Sequence, residues 1–152
     1  MIDKRRLQLY LETIYQETET IRSALQLSND EIAASPLTLR GVKYSVVVIA
    51  EAIAGICQHI LAKEHRIAVA GFGEAFAKAS TEGIVGQDLY ARLAPFLRFR
   101  NMLVHGYWKV DDTLFLDNLR EGIRDFAELA DAIERRFLPE QPPTVCPGDR
   151  RG

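Results

Sequence analysis

Apolar side chains recur every three or four residues along most of this chain, broken by short polar or glycine-bearing stretches. Leu7, Leu11, Ile14, Ile21 and Leu25 keep this step while Glu12, Glu17, Glu19 and Arg22 fall between them, which predicts an amphipathic helix over about residues 3–27. Ser28-Asn29-Asp30 ends it, and Asp30 is expected to cap a short turn through Ala34. Pro36 suits the first turn of the next helix, where its missing N–H costs nothing. From Pro36 or Leu37 to about Lys63, that helix has two apolar faces, one through Val42, Ile49, Ile53, Ile56 and Ile60, the other through Val46, Ala50, Cys57 and Leu61. It should therefore be the most buried. Ala50, Ala52, Ala54 and Gly55 are small enough for a second helix to come close, from this chain or from a partner. The β-branched run Val46 to Ile49 has strand preference, but the helical spacing on both sides outweighs it.

Gly71-Phe72-Gly73 reads as a loop, followed by a short helix from Glu74 to Ser80 that Gly83 closes. These glycines do not complete a dinucleotide fingerprint, because Phe76 stands where the third is needed. Gln87 to about Val104 forms the next helix, with Leu89, Leu93, Phe96 and Leu103 on one stripe and Pro95 as an expected kink. After Asp111-Asp112, the step of Leu116, Leu119, Ile123, Phe126, Ile133 and Phe137 predicts a final helix to about Phe137. There are no strand pairs, repeats or linkers. The expected fold is all-α, an antiparallel up-and-down bundle of four long helices plus a short one, occupying residues 1–138. Residues 139–152, with four prolines and no apolar period, are expected to form a disordered tail.

A length of 152 residues fits one domain able to bury a sizeable core, and 26% charged residues are ordinary for a globular protein. Cys57 in an apolar helix and Cys146 in the tail are too isolated for a disulfide framework or a metal site, and both are read as reduced thiols. Lys4, Arg5 and Arg6 interrupt the N-terminus, unlike a signal peptide. The longest apolar run, Val46 to Cys57, is broken by Glu51 and falls short of the roughly 20 residues a membrane span requires. A cytoplasmic protein without membrane contact is expected. The net charge of −2 argues against a general polyanion binder. Any nucleic acid must meet a local basic patch, and one exists: no acidic residue lies between Asp88 and Asp111, while Arg92, Arg98, Arg100, His105 and Lys109 all do.

The candidate chemistry closes the third long helix, in Arg98-Phe99-Arg100-Asn101-Met102-Leu103-Val104-His105-Gly106-Tyr107-Trp108. At about 100° per residue, Asn101 lies about 40° and Arg98 about 20° from His105, whereas Arg100 lies about 140° away and falls in line with Tyr107. Histidine supplies proton transfer near neutral pH, and arginine supplies a fixed cation for the charge on a pentavalent phosphate. That pairing needs no metal, and no metal or cofactor site is expected. Glu51, in the middle of the apolar helix, is expected to be buried and to pair with Arg98 or Arg100, orienting the guanidinium. His59 and His65 read as the surface end of a helix, without ligand spacing for zinc.

Arg100, four residues, His105, one residue and Tyr107 resemble the Arg-x4-His-x-Tyr signature of HepT-like toxins of the HEPN superfamily, and the similarity extends over roughly residues 37–137. The resemblance implies a HEPN-like bundle and a metal-independent endoribonuclease of a type VII toxin–antitoxin pair. It further implies a homodimer whose composite cleft carries Arg100, Asn101 and His105 as catalytic residues; Arg98, from its helical spacing to His105, and Glu51, from its place in the apolar helix, are the supporting candidates. The partner it implies is a minimal nucleotidyltransferase antitoxin of the MNT type, which silences the toxin by attaching AMP to Tyr107. Two features depart from the pattern: Gly106 is flexible where a larger residue would fix Tyr107 more firmly, and the doubled arginine leaves open whether Arg98 or Arg100 is the working cation. Two other readings stand beside it: a non-catalytic HEPN module that binds a nucleotide or partner protein, and a helical dimerisation module.

Overall fold

A computed structural model describes residues 1–106 and 110–139. Tyr107, Trp108, Lys109 and Cys146, and the expected tail beyond Pro139, lie outside the described residues.

Six helices follow one another, α1 Lys4–Ala24, α2 Asn29–Ala33, α3 Pro36–Glu64, α4 Phe72–Thr81, α5 Gln87–Gly106 and α6 Asp112–Phe137. Their starts are set by local chemistry. Asp3, Ser35 and Asp111 each accept a backbone N–H of the first turn. The turn expected to be capped by Asp30 is instead a one-turn helix capped by Ser28, in a reciprocal capping box with Glu31. The loop expected at Gly71 to Gly73 already turns helical at Phe72.

The four long helices form an antiparallel bundle, α1 packing on α3 and α6, and α5 packing on the same two. Arg120, early in α6, donates to the carbonyl of Leu25 at the end of α1, while Tyr15 of α1 meets Asp131 and Glu134 late in α6. Those contacts place α1 and α6 head to tail. On α5 and α6, Phe99 stacks edge-on with Phe115, and Phe96 with Phe126. Gly122 lets them meet, since a Cβ there would fall 2.5 Å from the Phe96 ring. The small stripe of α3 receives α1 of the same chain, with Tyr10 seated on Gly55.

α3 is long and apolar enough to cross a membrane by length and composition, beyond the shorter uninterrupted run counted in the sequence. Here it is the core helix, with Ile49, Ile53, Ile56 and Ile60 fully covered. Cys57 is enclosed with them, and burial pushes its thiol up to about 12.

His59 corrects the sequence reading. It is buried, not at the surface, and its Nε2 accepts the Asp3 backbone N–H at 2.9 Å, pinning the start of α1 to α3. His65 is partly exposed and lies 3.8 Å from Glu82. Burial, then the charges of Arg6 and Lys63, hold the His59 imidazole below its ordinary value, against an opposing pull from Asp3. The unfolded chain thus takes up this proton first as pH falls below about 6.5, and stability held above that pH declines toward the lower folded value. Urea midpoints should be lower at pH 5 than at pH 7.5, and the difference should shrink in His59→Gln, whose amide keeps an acceptor without titrating.

Candidate functional site

α5 remains helical through Pro95 and as far as Gly106, two residues beyond the expected end, so His105 stands on its last turn. The inward stripe, Leu89, Leu93, Phe96, Leu97 and Phe99, anchors the helix in the core. The polar residues therefore fall on its outer sides.

Arg100 is held from three directions. Its Nε donates to Glu51 Oε1 at 2.9 Å, and its Nη2 reaches the same oxygen. Its Nη1 donates to Asn101 Oδ1 at 3.0 Å, and its guanidinium carbon lies 4.6 Å from the centre of the Phe72 ring. A planar cation bound through its fork and stacked on an aromatic face keeps few rotamers. Only 18% of the side chain is exposed, so the charge is fixed at the surface but not free to sweep it.

The expected ion pair of Glu51 exists, and Arg100 is the partner rather than Arg98. Its expected burial does not: the Glu51 side chain is 50% exposed, because it falls on the outward side of α3, between the two apolar faces. Arg98, Asn101 and His105 are all exposed along one side of α5, as their helical spacing requires. Neither Arg98 nor His105 makes a hydrogen bond or ion pair with a described residue. The structure thus joins Glu51, Arg100, Asn101 and Phe72 into one cluster and leaves His105 and Arg98 on the adjoining surface.

Two further corrections follow. Arg92 does not add to the basic patch, because Asp88, Asp125 and Glu128 surround its guanidinium. Phe72 was invisible to sequence reasoning, a lone aromatic between glycines with no periodic signal, and only the tertiary fold brings it onto Arg100. Among the described residues, no three His, Cys, Asp or Glu side chains converge as metal ligands.

Large apolar side chains flank this surface: Tyr44 is 67% exposed, Leu114 54%, Val104 48% and Met102 40%. Glu51 of α3 faces Arg100 of the antiparallel α5, so Tyr44, about two turns earlier on α3, stands level with the end of α5.

An α1–α3–α5–α6 bundle with a polar cluster ending its third long helix is the HEPN type of fold. It is shared with the tri-AMPylated HEPN toxin of Shewanella oneidensis in complex with MNT antitoxin, at a TM-score of 0.79 and 18% identity over 90% of this chain and 100% of that one. A cytosolic protein of unknown function from Bacillus subtilis, YutE, superposes with a TM-score of 0.77 at 12% identity, over 95% and 97% of the two chains. A toxin–antitoxin structure with AMP-PNP matches at 0.76 and 17%, over 88% of this chain and 99% of that one. The model of the ribonuclease HepT-like family matches residues 14–133, and the chain belongs to that family. Among curated proteins no match is found.

Proposed function

We propose that the protein is the toxin of a type VII toxin–antitoxin pair, a metal-independent endoribonuclease that works as a cytoplasmic homodimer. The observation that carries this reading is Arg100, locked by Glu51, Asn101 and Phe72, with an exposed His105 on the adjoining surface that bonds to no described residue, in a chain of a ribonuclease family. In the proposed reaction an imidazole takes the proton of an RNA 2′-hydroxyl as its oxygen attacks the adjacent phosphorus. An imidazolium then protonates the departing 5′-oxygen, and the Arg100 guanidinium carries the charge of the pentavalent phosphate between them. One His105 can perform only one of those transfers in a pass. Along one helix it also lies about 140° from Arg100. A two-fold axis beside α5 supplies the second imidazole, and the exposed Tyr44, Met102, Val104 and Leu114 supply apolar surface for that axis.

The Shewanella toxin is AMPylated and bound to its MNT antitoxin. By the same logic an MNT-type nucleotidyltransferase partners this chain and attaches AMP to Tyr107, two residues from His105, where the added anion repels substrate phosphate.

Expression in a bacterial host tests the reading. The wild-type chain should arrest growth and Arg100→Ala should not, with both proteins accumulating equally. Glu51→Gln keeps an acceptor but loses the charge that orients the guanidinium, and should slow cleavage by about tenfold with little change in melting temperature. Equal arrest by wild type and Arg100→Ala would remove the nuclease assignment.

A further inference from the structure

Beside Arg100 the surface opens into a groove of about 540 Å³ between α1, α3 and the start of α4, lined among others by Tyr10, Glu51, Gln58, Phe72 and Arg100. Its volume suits a small organic ligand. The proposed reaction uses only its Arg100 end.

The rest of the groove is chemically specific. Tyr10 forms one wall, pressed so closely on α3 that a Cβ at position 55 would fall 2.5 Å from its Cζ. The Gln58 amide, with donors and an acceptor, bonds to no described residue. Both contacts to Arg100 fall on Oε1 of Glu51, so its Oε2 remains an open acceptor among the described residues. Tyr10 also lines a neighbouring hollow with Arg5 and Arg6, one turn earlier on α1. A cation on each side of an aromatic wall, with an amide and a carboxylate oxygen between, matches the spaced needs of a nucleotide strand.

We propose, resting on the ribonuclease reading, that this groove is the nucleobase subsite of the enzyme. The base next to the phosphate held at Arg100 stacks on Tyr10, its edge is read by Gln58 and by Glu51 Oε2, and the following phosphate meets Arg6. An open carboxylate oxygen accepts an exocyclic amine, so adenine, cytosine or guanine is preferred over uracil at this position.

The test has two arms. In the first, AMP, CMP, GMP and UMP are titrated into the wild-type protein while the Gln58 side-chain amide is followed by NMR. The amino-bearing nucleotides should shift it, and Ala70→Trp, which fills the groove from its exposed rim, should abolish the shift. In the second, cut sites are sequenced from a randomised RNA. Gln58→Ala should lower kcat/KM on the preferred sequence by about tenfold and flatten the preference, with a wild-type circular dichroism spectrum. An unmoved Gln58 amide at millimolar nucleotide, or an unchanged cut-site preference in Gln58→Ala, overturns the subsite. Absence of any RNA cleavage by the wild type would instead overturn the ribonuclease reading, and the titration arm would still decide whether the groove takes a nucleobase.

Discussion

Replacing His105 by alanine should lower the rate of RNA cleavage by roughly 10²–10⁴-fold, the usual contribution of a positioned acid or base. The protein should stay folded, because the side chain is exposed on the last turn of α5 and bonds to no described residue. That exposure separates the two explanations of a lost activity. A buried histidine such as His59 would take stability with it, whereas His105→Ala should leave the melting temperature unchanged and KM nearly so. Arg98→Ala should be far milder, since Arg98 lacks the contacts that hold Arg100. A loss in Arg98→Ala equal to that in Arg100→Ala would transfer the cation role to Arg98.

Tyr44→Glu should split the proposed homodimer and take activity with it by about a hundredfold, because each half keeps only one His105 imidazole. Tyr44 is 67% exposed in the single chain, so glutamate there is harmless to the monomer's core and harmful only where a second copy would bury it. Sedimentation should report half the wild-type mass with an unaltered helical spectrum. A variant that remains dimeric and active would place the two-fold axis elsewhere on the molecule.

The bundle was legible because each long helix carries its own periodic record: Leu7 to Leu25, Val42 to Leu61, Leu89 to Leu103 and Leu116 to Phe137 predicted the observed elements to within a few residues. Helix ends were harder. They depend on which of several polar residues wins the cap, and Ser28 outcompeted Asp30 by closing a reciprocal pair with Glu31. The Glu51–Arg100 pair was legible as one of two options, since a carboxylate on an apolar helix calls for a cation. Its exposure was not, because the boundary between two apolar faces looks like an interior from one dimension.

His59 was misread, and the role of Phe72 missed, for the opposite reason. Nothing adjacent in sequence marks His59 as the acceptor for Asp3, 56 residues away, or Phe72 as the platform for Arg100. Both roles are made by chain topology alone. The lone pair on His59 Nε2 meets an orphan N–H at the start of α1, and the start of α4 swings an aromatic ring over the end of α5.

The most direct measurement is the cleavage of a defined RNA by purified protein in EDTA, with the product termini identified. Attack by a 2′-hydroxyl between the two imidazoles predicts chelator-resistant cutting, 2′,3′-cyclic phosphate ends, and loss of both in Arg100→Ala and His105→Ala. Cutting that stops in EDTA, or that persists in those two variants, would contradict it.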